Sequence, residues 1–266
     1  MAIEVIQPAW WEWALLLPSL LLLWIILTRT IPVCAEAPPS LGCGLPGLLV
    51  VVVLHFWAAF GVQHLARVPF LPRGLACGLM ILLADGTTCA AVLLMAWLGG
   101  RAPGALGLRR IGGPKALAAV VPAWLAFLVP LSVVVWGWLV VLQALGYQPS
   151  VQPAIHLFIQ AGRRGDWLSV TAIAAGALIV APVVEELFFR GFVFGILRAR
   201  AGVLPALLLT SAFFAAFHMQ PEVILPVFLV GLVLNLLYLR TGSLAHPVLF
   251  HVLFNGGTLL WIAVTG

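Results

Sequence analysis

Long apolar runs alternate along the chain with short segments rich in Pro, Gly and Arg. A helix of about 20 apolar residues crosses the hydrocarbon core of a bilayer, and eight runs approach or exceed that length. These runs cover residues 9–28, 46–65, 74–98, 116–146, 167–197, 203–219, 222–239 and 244–264. The pattern predicts an all-α, polytopic integral membrane protein with about eight transmembrane helices and a polar cavity inside the membrane.

Composition agrees with this prediction. Of the 266 residues, 64% are hydrophobic and 8% are charged, whereas an ordinary soluble domain has about 25% charged residues. A water-soluble globule is therefore excluded. The formal net charge is +5, but the basic residues are scattered between apolar runs and Lys115 is the only lysine. No basic stripe indicates nucleic acid, so the expected partner is the lipid bilayer.

The runs leave no room for a separate soluble domain. We divide the single membrane domain into residues 1–115, with the first three spans, and residues 116–266, with the last five. Residues 150–167 are predicted to lie at the membrane interface. The N-terminal run follows Glu4 and precedes no small-residue cleavage site, which favours an uncleaved first span.

Loop charges predict an orientation. Four Lys or Arg residues lie in the loops on one side of the membrane and eight on the other. Since cytoplasmic loops carry the excess of basic residues, both termini are predicted to face outward. The cysteines form no CxxC pair and are predicted to be free thiols; they are Cys34, Cys43, Cys77 and Cys89.

The fifth span contains two adjacent carboxylates, Glu185 and Glu186, followed by Arg190. A carboxylate at mid-membrane costs on the order of 3 kcal/mol, so the pair must be neutralised, hydrated or functional. Glu186 and Arg190 are four residues apart, which favours an ion pair on one helix face. Glu185 points about 100° away, and it is the better candidate for a reactive base. A purely structural role for both glutamates is the alternative.

Two later spans also contribute polar side chains. His218 ends the sixth span, and His251 and Asn255 lie four residues apart in the eighth, so they project from one helix face. A rise of 1.5 Å per residue puts Glu185 and His218 each about 20 Å from the same membrane side. We therefore predict that all four side chains meet.

This set of side chains favours hydrolysis. A carboxylate and a histidine beside one water molecule can remove its proton, while a second histidine and a carboxamide can donate to an oxyanion. No cofactor is expected. Zinc at Glu185, His218 and His251 is the alternative, although the chain has no HExxH motif and Asn255 is a poor zinc ligand.

The three motifs resemble those of the CAAX protease and bacteriocin-processing family of intramembrane glutamic endopeptidases, which includes the Ras-converting endopeptidase. The family pattern of EExxxR, FxxxH and HxxxN on three membrane helices is similar to 185–190, 214–218 and 251–255 here. The resemblance extends over roughly residues 120 to 264. Together the motifs, in this order and in an apolar chain, are specific.

The resemblance implies a role for each matching residue. Glu185 and His218 would activate water, and His251 and Asn255 would stabilise the oxyanion, with Glu186 and Arg190 in support. The implied activity is cleavage of a peptide bond near the C-terminus of a membrane-associated or lipid-modified protein or peptide. The resemblance leaves three substrate classes open: prenylated tails, bacteriocin or signalling peptides, and sorting segments of bacterial surface proteins. The richness in Ala, Leu, Gly and Trp is typical of a GC-rich bacterium, in which prenylated substrates are less expected. Among these classes we therefore expect peptides or sorting signals, cut by an enzyme of the inner membrane.

Two other functions use the same residues. A proton-coupled transporter would use them as a proton relay, but the chain shows no repeated halves. A non-catalytic immunity or scaffold protein would keep the shape of the family without cleavage. Several polar residues outside the motifs are interpreted as interfacial or packing residues first: His55, His64, Glu222 and His246. Asp85 could line the cavity, but pairing with a hydroxyl or an arginine is the favoured interpretation.

Overall fold

The computed structural model describes residues 7–30, 44–63, 72–100, 106–108 and 114–265. Cys34, Cys43 and His64 lie outside these ranges, as do several arginines used to predict the orientation. Cys77 and Cys89 are free thiols, as predicted. The orientation remains a prediction.

Nine helices and no strand form within the described ranges. They are α1 (Trp10–Ile25, continued as a π-helix over Ile26–Thr30), α2 (Gly44–Gln63), α3 (Arg73–Leu98), α4 (Pro114–Ala144), α5 (Pro153–Arg163), α6 (Trp167–Ala201), α7 (Val203–Phe217), α8 (Pro221–Thr241) and α9 (Ala245–Thr265). All but α5 coincide with a predicted span to within four residues. The short helix α5 falls in the segment predicted to be interfacial.

Six of these helices are long and apolar enough to cross a membrane, namely α1, α3, α4, α6, α8 and α9. Shorter apolar helices occupy Gly44–Phe60 and Val203–Phe217. The chain is thus a multi-pass, all-α integral membrane protein, as predicted, while eight crossings remain a prediction. Large apolar side chains such as Trp10 and Trp57 are 80% and 74% exposed, as expected of surfaces that face lipid.

The core lies between α6, α7 and α8. Phenylalanines of α6 pack edge to face against those of α7, with Phe189 and Phe214 ring centroids 5.1 Å apart. Gly231 lets α8 approach α7 closely, because a Cβ at this position would lie 3.1 Å from the Ser211 Cα. This packing holds α7 and α8 at fixed rotations beside the carboxylates of α6.

Small residues also bring α3 against the first half of α6. Gly74 and Gly78 form a GxxxG pattern that faces Ser169 and Ala172. A Cβ at Gly78 would lie 2.7 Å from the Ala172 Cβ and 3.0 Å from its carbonyl carbon. Small-xxx-small patterns allow such close backbone approach between membrane helices.

Gly78→Ala is therefore expected to destabilise the protein by about 1–3 kcal/mol, since α3 must move away from α6. Gly86→Ala on the same helix is the matched control, because a Cβ there meets nothing within 4 Å. This control should be neutral or stabilising by up to about 1 kcal/mol. Thermal unfolding in detergent measures the stability of both variants. Equal stabilities of Gly78→Ala and Gly86→Ala would contradict the close contact between α3 and α6.

Asp166 caps the N-terminus of α6. Its carboxylate accepts hydrogen bonds from the Ser169 hydroxyl at 2.6 Å and the Ser169 backbone N–H at 3.1 Å. Both bonds favour the charged form, so they hold the pKa of Asp166 below its usual value.

The Asp166→Ala variant should therefore unfold at a lower temperature than wild type at neutral pH. A depressed pKa contributes stability that is present above the ordinary carboxyl pKa and is lost as the pH falls through the lowered one. The difference between the two proteins should shrink in acid. Unfolding temperatures at several pH values check this, and a difference that grows in acid would contradict it.

Candidate active site

The carboxylates of α6 lie between two π-helical segments, Gly176–Val180 and Leu187–Phe194. Such segments occur often at functional sites, because the extra residue per turn frees backbone groups and redirects side chains. The first segment also precedes Pro182, which has no N–H to donate to the preceding turn. Glu185 and Glu186 thus stand on the short α-helical turn Ala181–Glu186.

Glu186 and Arg190 form the predicted ion pair. The Arg190 Nη1 donates to Glu186 Oε1 at 3.0 Å, and both side chains are fully buried. The guanidinium also donates to the Asn235 side-chain oxygen and to the Gly231 carbonyl, each at 3.2 Å. Its central carbon lies 4.6 Å from the centre of the Phe214 ring. Arg190 therefore neutralises Glu186 and links α6 to α8.

His251 of α9 connects the two carboxylates. Its Nδ1–H donates to Glu186 Oε1 at 2.9 Å, and its Nε2 lies 3.9 Å from Glu185 Oε2. Because Glu186 can only accept, Nδ1 carries the proton. The buried ion pair therefore orients the histidine ring and turns Nε2 towards Glu185.

Glu185 is the less constrained carboxylate. Its side chain is 28% exposed, whereas that of Glu186 is fully buried. No described residue donates a hydrogen bond to Glu185 Oε2. Glu185 lines a cavity of about 390 Å³, which is large enough for a peptide segment of a few residues.

His218 ends α7 at the wall of the same cavity. Its Nδ1–H donates to the Phe214 carbonyl at 2.9 Å, so Nε2 is left as an acceptor. The next residue, Met219, has a φ of 53°, a left-handed conformation that is rare for a residue with a side chain. This turn ends the helix at the histidine.

Asn255 lies one turn beyond His251 and also lines the cavity. Its amide nitrogen donates to the Ala177 carbonyl at 2.8 Å, within the first π-helical segment of α6. The second N–H of the same amide is available for another acceptor. The structure thus brings all four predicted site residues to one cavity: Glu185, His218, His251 and Asn255.

No three His, Cys, Asp or Glu side chains in the described part of the chain are arranged to hold a metal ion. The zinc alternative requires Glu185, His218 and His251 to converge on one point.

Two further residues of the cavity were not predicted as site residues. Asp85 of α3 and His55 of α2 line the 390 Å³ cavity and an adjoining one of about 130 Å³. The favoured interpretation, that Asp85 pairs with a hydroxyl or an arginine, is not what the described residues show. The nearby Thr88 hydroxyl bonds His55 and the Ala84 carbonyl instead.

Glu222 lies in the first turn of α8 and is buried against the segment that follows α4. It is 5% exposed and accepts hydrogen bonds from the Tyr147 hydroxyl at 2.7 Å and from Ser150 at 3.2 Å. The bond to Glu222 raises the pKa of Tyr147. These contacts hold the start of α8 to the segment that follows α4.

The fold and the cavity define the class of this protein: a multi-pass membrane protein with a polar site buried among its helices. Residues 167–257 match the family model described as type II CAAX prenyl endopeptidase Rce1-like. This segment is therefore similar to the CAAX protease family, as the resemblance of the three motifs predicted, and all six motif residues lie within it.

A curated relative matches over a shorter stretch. A 24.3 kDa uncharacterised protein of Escherichia coli is 38% identical over 79 residues. The alignment covers 28% of this chain and 36% of that protein's length. No solved structure matches.

Proposed function

We propose that the protein is an intramembrane endopeptidase that hydrolyses a peptide bond near the C-terminus of a membrane-associated or lipid-modified protein or peptide. The observation that carries the proposal is one cavity lined by Glu185, His218, His251 and Asn255 from three helices. The endopeptidase family model over residues 167–257 supports it. The composition favours the inner membrane of a bacterium and an unprenylated peptide or sorting signal.

Glu185 and His218 would activate water. Glu185 accepts one proton from the water molecule, while His218 Nε2 accepts a hydrogen bond from its other O–H. The oxygen attacks the carbonyl carbon of the scissile bond and gives a tetrahedral oxyanion. The C–N bond then breaks and the proton on Glu185 passes to the leaving nitrogen, which gives a carboxylic acid and an amine. The acid then passes its remaining proton to the amine, and the products are a new carboxylate and a new ammonium group.

His251 and Asn255 would stabilise the oxyanion. Asn255 has one N–H beyond the one that bonds Ala177. His251 already donates from Nδ1 to Glu186, so donation from Nε2 requires protons on both ring nitrogens. Glu186 and Arg190 would act by positioning this ring, not by contacting the substrate.

The test is cleavage by the purified protein of C-terminal segments of membrane proteins from the same source, read by mass spectrometry. A defined cut made by wild type and not by a His218→Ala variant supports the proposal. Proton flux across liposomes without any cleavage would favour the transporter instead. A folded wild type that neither cuts nor transports would favour the non-catalytic scaffold.

A further inference from the structure

The N-terminal helices α2 and α3 complete the cavity with a second polar wall. Asp85 of α3 is 8% exposed, and it lines both cavities together with Glu185 and His218. It lies outside the segment that matches the family model, residues 167–257. The three motifs assign it no role.

The neighbours of Asp85 leave its carboxylate without a partner. The Thr88 hydroxyl donates to the Ala84 carbonyl at 2.9 Å and therefore accepts from His55 Nδ1–H at 2.8 Å. The guanidinium of Arg190, which is buried among the described residues, already donates hydrogen bonds to Glu186, Asn235 and Gly231. Within the described ranges no hydrogen bond or ion pair neutralises Asp85.

The charges that line the cavity are of one sign. Its walls contain two carboxylates, Asp85 and Glu185, together with histidines, and no Lys or Arg is among the described lining residues. Burying an unpaired carboxylate is costly unless a cation or several donors meet it. Beside Asp85 the wall is apolar, with Met80, Ile81 and Ala84. An apolar wall that leads to a carboxylate suits an aliphatic stem with a cationic end.

We propose that Asp85 is a specificity-determining residue that binds the cationic end of a lysine or arginine side chain of the substrate close to the scissile bond. The proposal rests on the proposed function, because it assigns the substrate class of the same cavity. Asp85 forms an ion pair with the substrate, while Glu185 keeps its role towards water. Substrates with an uncharged residue at this position bind less tightly.

Binding is measured first, so that the test does not depend on cleavage. The probes are synthetic peptides, each an apolar helix followed by a tail that carries either lysine or norleucine at one scanned position. They are titrated against Glu185→Gln protein in lipid nanodiscs. At one position, lysine should bind about tenfold or more tightly than norleucine.

Asp85→Asn in the same background should bring the ratio of the two affinities close to one, and Asp85→Glu should keep the preference for lysine. The matched control is Thr87→Val, a half-buried position on the same helix that lines neither cavity, which should leave the ratio unchanged. If Asp85→Asn fails to fold, Asp85→Glu is used in its place. It is combined with a peptide of reversed charge, which carries glutamate in place of lysine at the scanned position. Equal affinities for lysine and norleucine in the Asp85 protein overturn the proposal, as does an unaltered preference in Asp85→Asn.

Cleavage of the same peptides by protein with an intact Glu185 separates the two proposals. Lysine preference in binding without any cleavage supports the site and contradicts the peptidase. Cleavage with no preference for lysine at any position supports the peptidase and overturns the role of Asp85.

Discussion

Replacing Glu185 with glutamine is expected to reduce peptide cleavage by about 10²- to 10⁴-fold, the range by which positioned acid–base groups accelerate reactions. Glutamine keeps the size of the side chain but cannot take a proton from water. The Glu185 side chain is 28% exposed, its Oε2 accepts no hydrogen bond from a described residue, and His251 Nε2 lies 3.9 Å away, so the fold loses little. Initial rates of peptide cleavage, measured with purified protein in detergent or liposomes, check the prediction.

The control is the thermal unfolding temperature of the same variant, which should stay close to that of wild type. Gln160→Ala on α5 provides a second control, since this residue is not among the described residues that line the cavity and its side chain pairs with His156. A Glu185→Gln protein that cleaves at the wild-type rate would exclude Glu185 as the base.

Replacing Arg190 with methionine is expected to destabilise the protein by about 3–5 kcal/mol, the usual cost of removing one partner of a buried pair. The change leaves the fully buried Glu186 carboxylate with His251 alone. It also removes the donors to Asn235 and Gly231, which tie α6 to α8. Thermal or denaturant unfolding in detergent measures the loss.

A double variant tests the cause. When Glu186→Gln is added to Arg190→Met, no buried charge is left unpaired, so the double variant should be more stable than Arg190→Met alone. If the two substitutions are simply additive, the ion pair contributes nothing specific and the loss comes from packing against Phe214.

The chemistry of the site could be predicted from the sequence because charge is rare in an apolar chain. Glu185 and Glu186 stand out in the fifth span, and the four-residue spacing between Glu186 and Arg190 favours the ion pair that these two residues form. The apolar helices could also be predicted from the sequence, because an apolar run of sufficient length is a physical requirement for crossing a bilayer. These features depend on local sequence alone.

The features that the sequence did not reveal depend on how helices pack. The directions predicted for Glu185 and Glu186 assume a regular period of 100° per residue. The π-helical segments beside Glu185 break this period. The bond from His251 to Glu186 depends on the rotation of α9 against α6. Asp85 is a single acid with no motif around it, and only the GxxxG pattern beginning at Gly74 indicates that α3 lies close to α6.

In the proposed mechanism, Glu185 activates a water molecule that attacks the substrate directly. Single-turnover cleavage in ¹⁸O-labelled water, with mass spectrometry of both the product and the enzyme, tests this step. We expect one ¹⁸O atom in the new carboxylate of the product and none in Glu185. Label in Glu185 with an unlabelled product would instead mean that the glutamate attacks the substrate itself, and it would exclude direct attack by water.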